Sequence, residues 1–175
     1  QIALFEHPFF FFLHLLHANY ASAIDIYLFY KKTVRGKQRK LSEVSSHLKK
    51  DFMRAKWLRL GPHALDYDTP PYAQTIEAQK ETFNAIYKEI DRFAGYSNRS
   101  QWLRLHYFSE AYELASDLQS QGVDTLLLTD KPAVAYRLPS QEREQLAREG
   151  FINYQKINLR SSHERMENLV TKAIS

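Results

Sequence analysis

At 175 residues, with 44% hydrophobic and 14% aromatic side chains, the chain is long enough for one domain around a proper core. Its 24 basic residues exceed its 20 acidic ones by too little for a dedicated nucleic-acid binder, which concentrates more charge than a net +4. There is no cysteine, which excludes disulfides and thiolate zinc sites and leaves any metal to His, Asp or Glu.

Gln1 is no natural start, and the apolar run from Phe9 to Leu16 begins almost at once. His7, His14 and His17 interrupt it, no basic leader precedes it, and it is too short to span a bilayer. It therefore reads as a buried helix of a chain that begins upstream, with no signal peptide in view, which favours the cytoplasm. Pro8 suits the first turn of that helix, which runs to about Tyr20. Ser22 to Tyr30 is rich in β-branched and aromatic residues and predicts a strand. Its one charge, Asp25, needs a partner if buried. Lys31, Lys32, Arg35, Lys37, Arg39 and Lys40 surround a turn at Gly36. The stretch reads as a solvated loop, with a patch for an anionic ligand as the alternative, since no aromatic residue is interleaved for base stacking.

Ser42 can cap a helix whose core stripe is Val44, Leu48, Phe52 and Ala55. Trp57 to His63 is a short strand closed by Gly61-Pro62, and the prolines and small polar residues of Ala64 to Tyr72 make a loop. The longest helix carries Ile76, Phe83, Ile86, Tyr87, Ile90 and Phe93, with Gly95 suited to its carboxyl cap. Trp102 to Phe108 alternates like a strand and sets Arg104 and His106 on one side of it. A helix bearing Ala111, Leu114, Ala115 and Leu118 follows and ends at Gly122. Thr125 to Asp130 is the apolar run of a strand covered on both faces. After a turn at Lys131-Pro132, Ala133 to Leu138 reads as an edge strand, and Ser140 caps a polar helix ending at Gly150. Ile152 to Leu159 reads as a further strand. Ser161-Ser162-His163-Glu164 forms a capping box before a last helix with Met166, Leu169, Val170 and Ala173. This alternation predicts a single α/β domain over 1–175, its strands mostly parallel and joined by right-handed crossovers in a barrel or a doubly wound sheet.

Three strand-like runs finish on polar residues, at His63, at Arg104 with His106, and at Asp130, and carboxyl ends of strands are where α/β folds build sites. His63 with Asp66 and Asp68 is an imidazole and carboxylate set suited to zinc or a similar divalent metal, although Asp in such a loop also makes Asx-turns. Arg104 on an inward strand face demands a carboxylate or an anionic ligand, and Asp130 or Asp25 can supply the carboxylate. His106 orients a ligand, acts as acid or base, or bonds a backbone carbonyl. Tyr67, Tyr72, Tyr107 and Phe108 can stack on sugar rings. His14 and His17 have metal-compatible spacing on a helix that otherwise reads as core. No glycine-rich phosphate loop, Gly-x-Ser-x-Gly elbow or His-Glu-x-x-His motif occurs, which argues against nucleotide binding, serine hydrolysis and zincin chemistry.

The segments from His7 to His17, Ile26 to Tyr30, Trp57 to Asp66, Leu103 to Phe108 and Leu126 to Asp130, in that order, resemble a divergent bacterial branch of the polysaccharide deacetylase superfamily of carbohydrate esterases. The resemblance covers most of the chain. It implies a distorted (β/α) barrel, a divalent metal, zinc first among them, and metal-assisted hydrolysis of acetyl groups on a carbohydrate or polysaccharide. It places His63 at the His motif as a metal ligand, with Asp66 substituting for the second histidine. Arg104 falls at the Arg motif, His106 stands where a proline is expected and is the candidate acid, and Asp130 lies on the following strand. Asp68, Tyr72 and Tyr107 are expected toward the substrate. The first-strand Asp pair would lie before Gln1, so the barrel as given lacks its first strand. The expected function is a deacetylase-like protein, active or degenerate. The alternative is a non-catalytic glycan- or protein-binding module on the same fold, with neither nucleic acid nor a membrane span expected.

Overall fold

The structure, a computed structural model, describes residues 3–128, 138–154 and 157–161. Helix α1 (Pro8–Tyr20) starts where Pro8 predicts, with the His7 ring accepting from the Phe9 amide at 3.3 Å, and stops at Ala21 in the left-handed region. It buries Leu13 and leaves Phe9, Phe11, Phe12 and Leu15 exposed, so it packs by one face and is not a core helix all round.

Strand β1 (Ile24–Phe29) leads into an antiparallel hairpin, β2 (Lys31–Val34) and β3 (Lys37–Lys40), where composition suggests a loop. Arg35 and Gly36, with φ of 51° and 74°, connect its strands. Two successive positive φ values are what a type I′ turn requires, and its twist matches that of paired strands. The helix expected from Ser42 starts late, as α2 (Lys49–Arg54), after two 3₁₀ turns at Leu41–Glu43 and Ser46–Leu48. Ser45, not Ser42, supplies a cap, and it caps the second 3₁₀ turn, its hydroxyl accepting from the His47 amide at 3.3 Å, while α2 starts from Leu48 with no side-chain cap.

Strand β4 (Leu58–Ala64) runs parallel to β1, with Ile24 beside Leu58, and the register slips between Leu28 and Phe29. Helix α3 (Ile76–Phe93) is capped by Thr75, which accepts from the Ala78 amide at 3.2 Å, and it buries Phe83, Ile86, Tyr87, Ile90 and Phe93 as its periodicity predicts. Strand β5 is only Trp102–Leu103. The predicted strand does not continue to Phe108: its pairing with β6 stops after Leu103, and Tyr107 and Phe108 both hold φ at 52°, a conformation no strand passes through. Helix α4 (Ala115–Ser120) likewise begins after Ala111, which is left-handed, and a 3₁₀ turn at Tyr112–Leu114. Then come β6 (Thr125–Leu128), α5 (Ser140–Glu149), β7 (Phe151–Tyr154) and β8 (Ile157–Ser161). The run read as a single strand, Ile152 to Leu159, is instead an antiparallel pair with Ile152 opposite Leu159.

The strand order is β5-β6-β8-β7 in one sheet and β1-β4 in another, all parallel except β7. Leu60 bridges Arg99, and the Ser100 amide donates to the Leu60 carbonyl at 2.8 Å, which joins β4 to the start of β5. Gly61 allows that approach, since a Cβ there would stand 2.5 Å from Leu103 Cδ2. The fold is thus mixed α/β with mostly parallel strands. No described sheet closes into a barrel. Asp130, the Lys131-Pro132 turn, most of the Ala133 to Leu138 strand and the last helix lie outside the described residues. No described helix is long and apolar enough to cross a membrane.

Candidate functional site

The carboxyl end of β4 places His63 beside the backbone that leaves β5. Its Nδ1 donates to the Arg104 carbonyl at 2.7 Å. His106, in the 3₁₀ turn that follows β5, is 8% exposed and donates from Nε2 to the Tyr67 carbonyl at 2.9 Å. A carbonyl only accepts, so the bonds assign the tautomers: His63 carries its proton on Nδ1 and His106 on Nε2. In its neutral form each ring has a lone pair on its other nitrogen. The two imidazole centroids are 5.0 Å apart, and Phe29 sets its ring edgewise to both, at 4.9 and 5.1 Å.

Aromatic rings complete the surroundings. Tyr107 lies 4.2 Å from His106 and Tyr67 lies 5.1 Å from it. With Arg104 and Phe108 they line an open cleft of about 430 Å³. A second cleft of about 320 Å³, lined by Lys31, Lys32, Thr33, Gln38, Asp66 and Asp68, shares Phe29 and Tyr67 with the first. The left-handed backbone at Tyr107 and Phe108 borders the first cleft. Non-glycine residues in that region store strain of about 1–3 kcal/mol each, and such strain gathers at functional sites. A hydrogen bond with Tyr67 pushes the Tyr107 phenol up, so Tyr107 presents a neutral hydroxyl.

Burial pushes His63 down from 6.5 to about 4; its hydrogen bond to the Arg104 carbonyl resists, and the nearby His106 and Arg104 add to the fall. It is therefore a neutral imidazole at neutral pH. Because its folded pKa lies below the unfolded value, the unfolded chain takes up this proton first as the pH falls. Its contribution to stability is whole above pH 6.5 and is lost as the pH drops from 6.5 through about 4. Urea midpoints at pH 7 and pH 4.5 should show this loss, and His63→Gln should flatten it. An unchanged slope in that variant would assign the acid sensitivity elsewhere.

The structure brings His63, Arg104, His106, Tyr107 and Tyr67 together. Tyr72 stands near them, its ring 6.4 Å from that of Tyr107. Asp66 and Asp68 lie in the adjoining cleft. Asp66 pairs with Lys31 at 3.2 Å and accepts the Asp68 amide at 3.1 Å, the Asx-turn weighed against metal binding. Desolvation acts to raise the Asp66 carboxyl, but bonds from Thr69 and Lys31 outweigh it and hold it low. Asp25 does not pair with Arg104, and Asp130, the other expected carboxylate, lies outside the described residues. The Arg104 guanidinium sits 4.1 Å over the Phe108 ring, while Asp25 is taken by Arg59 at 3.3 Å and by the Ser100 hydroxyl at 2.6 Å. His17 is structural, bonded to the Ser22 carbonyl at 2.8 Å and stacked 4.5 Å from Trp57.

Among the described residues no three His, Asp or Glu side chains converge as a metal site. The two imidazoles suit a divalent ion, since a ligating histidine usually holds its other N–H on a carbonyl or carboxylate, but a catalytic zinc takes three protein ligands. Phe29 was not singled out by its sequence. The slip in the β1–β4 register, which no composition reveals, accompanies its place beside both histidines. Comparison of the chain with protein-family models, with curated proteins and with solved structures finds no match.

Proposed function

We propose that the chain is a polysaccharide deacetylase-like protein whose aromatic cleft seats an acetylated sugar. One observation carries the reading: two imidazoles with fixed tautomers lie 5.0 Å apart in a cleft bordered by Phe29, Tyr67, Tyr107 and Phe108. Ring faces stack on the apolar faces of pyranoses, while the phenol and imidazole nitrogen atoms meet hydroxyl and acetamido groups. A divalent metal would be held by His63 Nε2 and His106 Nδ1. Such an ion, when bound, polarises an acetyl carbonyl and acidifies a water. Among the described residues no third ligand stands beside these two nitrogens. His63, neutral at pH 7, and His106 are available to hold or move a proton at those nitrogens. Arg104 and Asp130 belong to the same proposal, as does the reading of the parallel strands as an arc of a distorted (β/α) barrel.

The non-catalytic glycan-binding module is a second reading, favoured by the commitment of Asp66 to Lys31. An acetylated chito-oligosaccharide, titrated with and without zinc while free acetate is measured, separates the two. Acetate release that needs zinc and falls about 100-fold or more in His63→Ala supports hydrolysis. Binding without release at any metal concentration leaves the binding module. Absence of both would overturn the proposal.

A further inference from the structure

We propose that the β2–β3 hairpin receives an acidic group on the ligand of the aromatic cleft, which makes the preferred occupant an anionic oligosaccharide. The inference rests on the carbohydrate reading above and adds a charge class to it. It starts from the hairpin's register, which sets Lys31 opposite Lys40 and Lys32 opposite Arg39. Like charges directly opposite across an antiparallel pair are destabilising, and a lone two-stranded hairpin is only marginally stable. The protein relieves this repulsion in part, through Asp66 on Lys31 at 3.2 Å and Glu43 on Arg39 at 3.1 Å. Lys32 and Lys40 have no ion-pair partner among the described residues. Lys40 shares a face with Lys31 and does not line the cleft, whereas Lys32 does, so an anion beside Lys32 would offset the repulsion that remains between it and Arg39.

The position of the hairpin matters as much as its charge. Lys32, Thr33 and Gln38 line the second cleft, which shares Phe29 and Tyr67 with the histidine cleft, so one extended ligand can occupy both. Ammonium groups beside a hydroxyl and an amide supply the charge-assisted and neutral bonds that a carboxylate or sulfate ester accepts. A nucleic acid is the other polyanion this charge would attract. The saccharide is favoured because Asp66 and Asp68 line the same cleft. Carboxylates oppose a continuous run of phosphates but bind the hydroxyls around an isolated acid group. Nor does the hairpin interleave an aromatic residue for base stacking.

The test is calorimetric titration of the full chain with a neutral N-acetylglucosamine oligomer, a uronate-containing oligomer of equal length, its sulfated form, and a single-stranded oligonucleotide. At low salt an acidic saccharide should bind about tenfold tighter than the neutral one, and the gap should close at high ionic strength. The ratio of uronate to sulfate binding shows which acid group is read, and a preference for either supports the inference. Lys32→Gln should abolish the preference with thermal stability unchanged, while Lys40→Gln, on the other face of the hairpin and outside the cleft lining, should leave the preference intact. Equal binding of neutral and acidic oligomers, or a preference that survives Lys32→Gln, overturns the inference while the carbohydrate reading stands. Tighter binding of the oligonucleotide than of any saccharide overturns it in favour of nucleic acid. If no saccharide binds, both fall.

Discussion

Asn98→Ala is expected to destabilise the fold by about 3 kcal/mol, roughly 1 kcal/mol for each of the two N–H donors lost and the rest for buried carbonyls left unpaired. Asn98 is fully buried, and its amide donates to the carbonyls of Phe52, Ala55 and Leu58 at 2.8, 3.2 and 2.9 Å. Those carbonyls mark the last turns of α2 and the first residue of β4, so one side chain closes the corner at which helix becomes strand. Alanine leaves the corner without this donor and opens a cavity that water cannot freely fill. For a chain of this length the melting temperature should fall by about 6–12 °C. Ser97→Ala, which removes only a 3.4 Å contact to the Asn98 side chain, should stay within about 0.5 kcal/mol. A urea titration that places Asn98→Ala within 1 kcal/mol of the parent would show that the corner is held by packing instead.

Tyr67→Ala is expected to weaken binding of an acetylated oligosaccharide by about 2 kcal/mol, near 30-fold in Kd, while folding stability shifts by no more than about 0.5 kcal/mol. The asymmetry follows from how Tyr67 is used. Its side chain borders both clefts and the residue is 63% exposed, so little core packing is lost with it. What the fold needs is its backbone carbonyl, which accepts His106 Nε2 and survives the substitution. Tyr20→Ala, at an even more exposed tyrosine on α1 away from both clefts, is the control and should leave Kd unchanged. Titration calorimetry and urea unfolding on the same samples separate the two effects. Equal losses in both measurements would make Tyr67 a structural residue.

The long regular elements were legible because their signals are local. The periodicity from Ile76 to Phe93, Pro8 at a helix start and the apolar Thr125 to Leu128 run each gave the element found. The misreadings fall where a few backbone angles decide. Alternation between Trp102 and Phe108 is real in the residues, but pairing with β6 stops after Leu103 and the left-handed conformations at Tyr107 and Phe108 keep the strand from resuming. The basic stretch from Lys31 to Lys40 looks solvated, and it is, yet the Arg35-Gly36 turn folds it into a hairpin. Site residues were legible one by one. His63, Arg104, His106 and Tyr107 do share a cleft, although the predicted route, two residues projecting from one face of a strand, is not how Arg104 and His106 arrive there.

By itself the sequence determined the α/β alternation, the mostly parallel strands and the presence of imidazoles at strand ends, because these follow from hydrophobic period and from which residues punctuate it. Only the tertiary structure decided which partner each polar group has. Arg59 rather than Arg104 takes Asp25, Lys31 takes Asp66, and two backbone carbonyls take the histidines. Residues from Asp25 to Arg104 meet only after β1, β4 and β5 lie side by side, and which donor then reaches a given acceptor is set by register and turn geometry. Over separations of that length, neither is written in the local pattern of side chains.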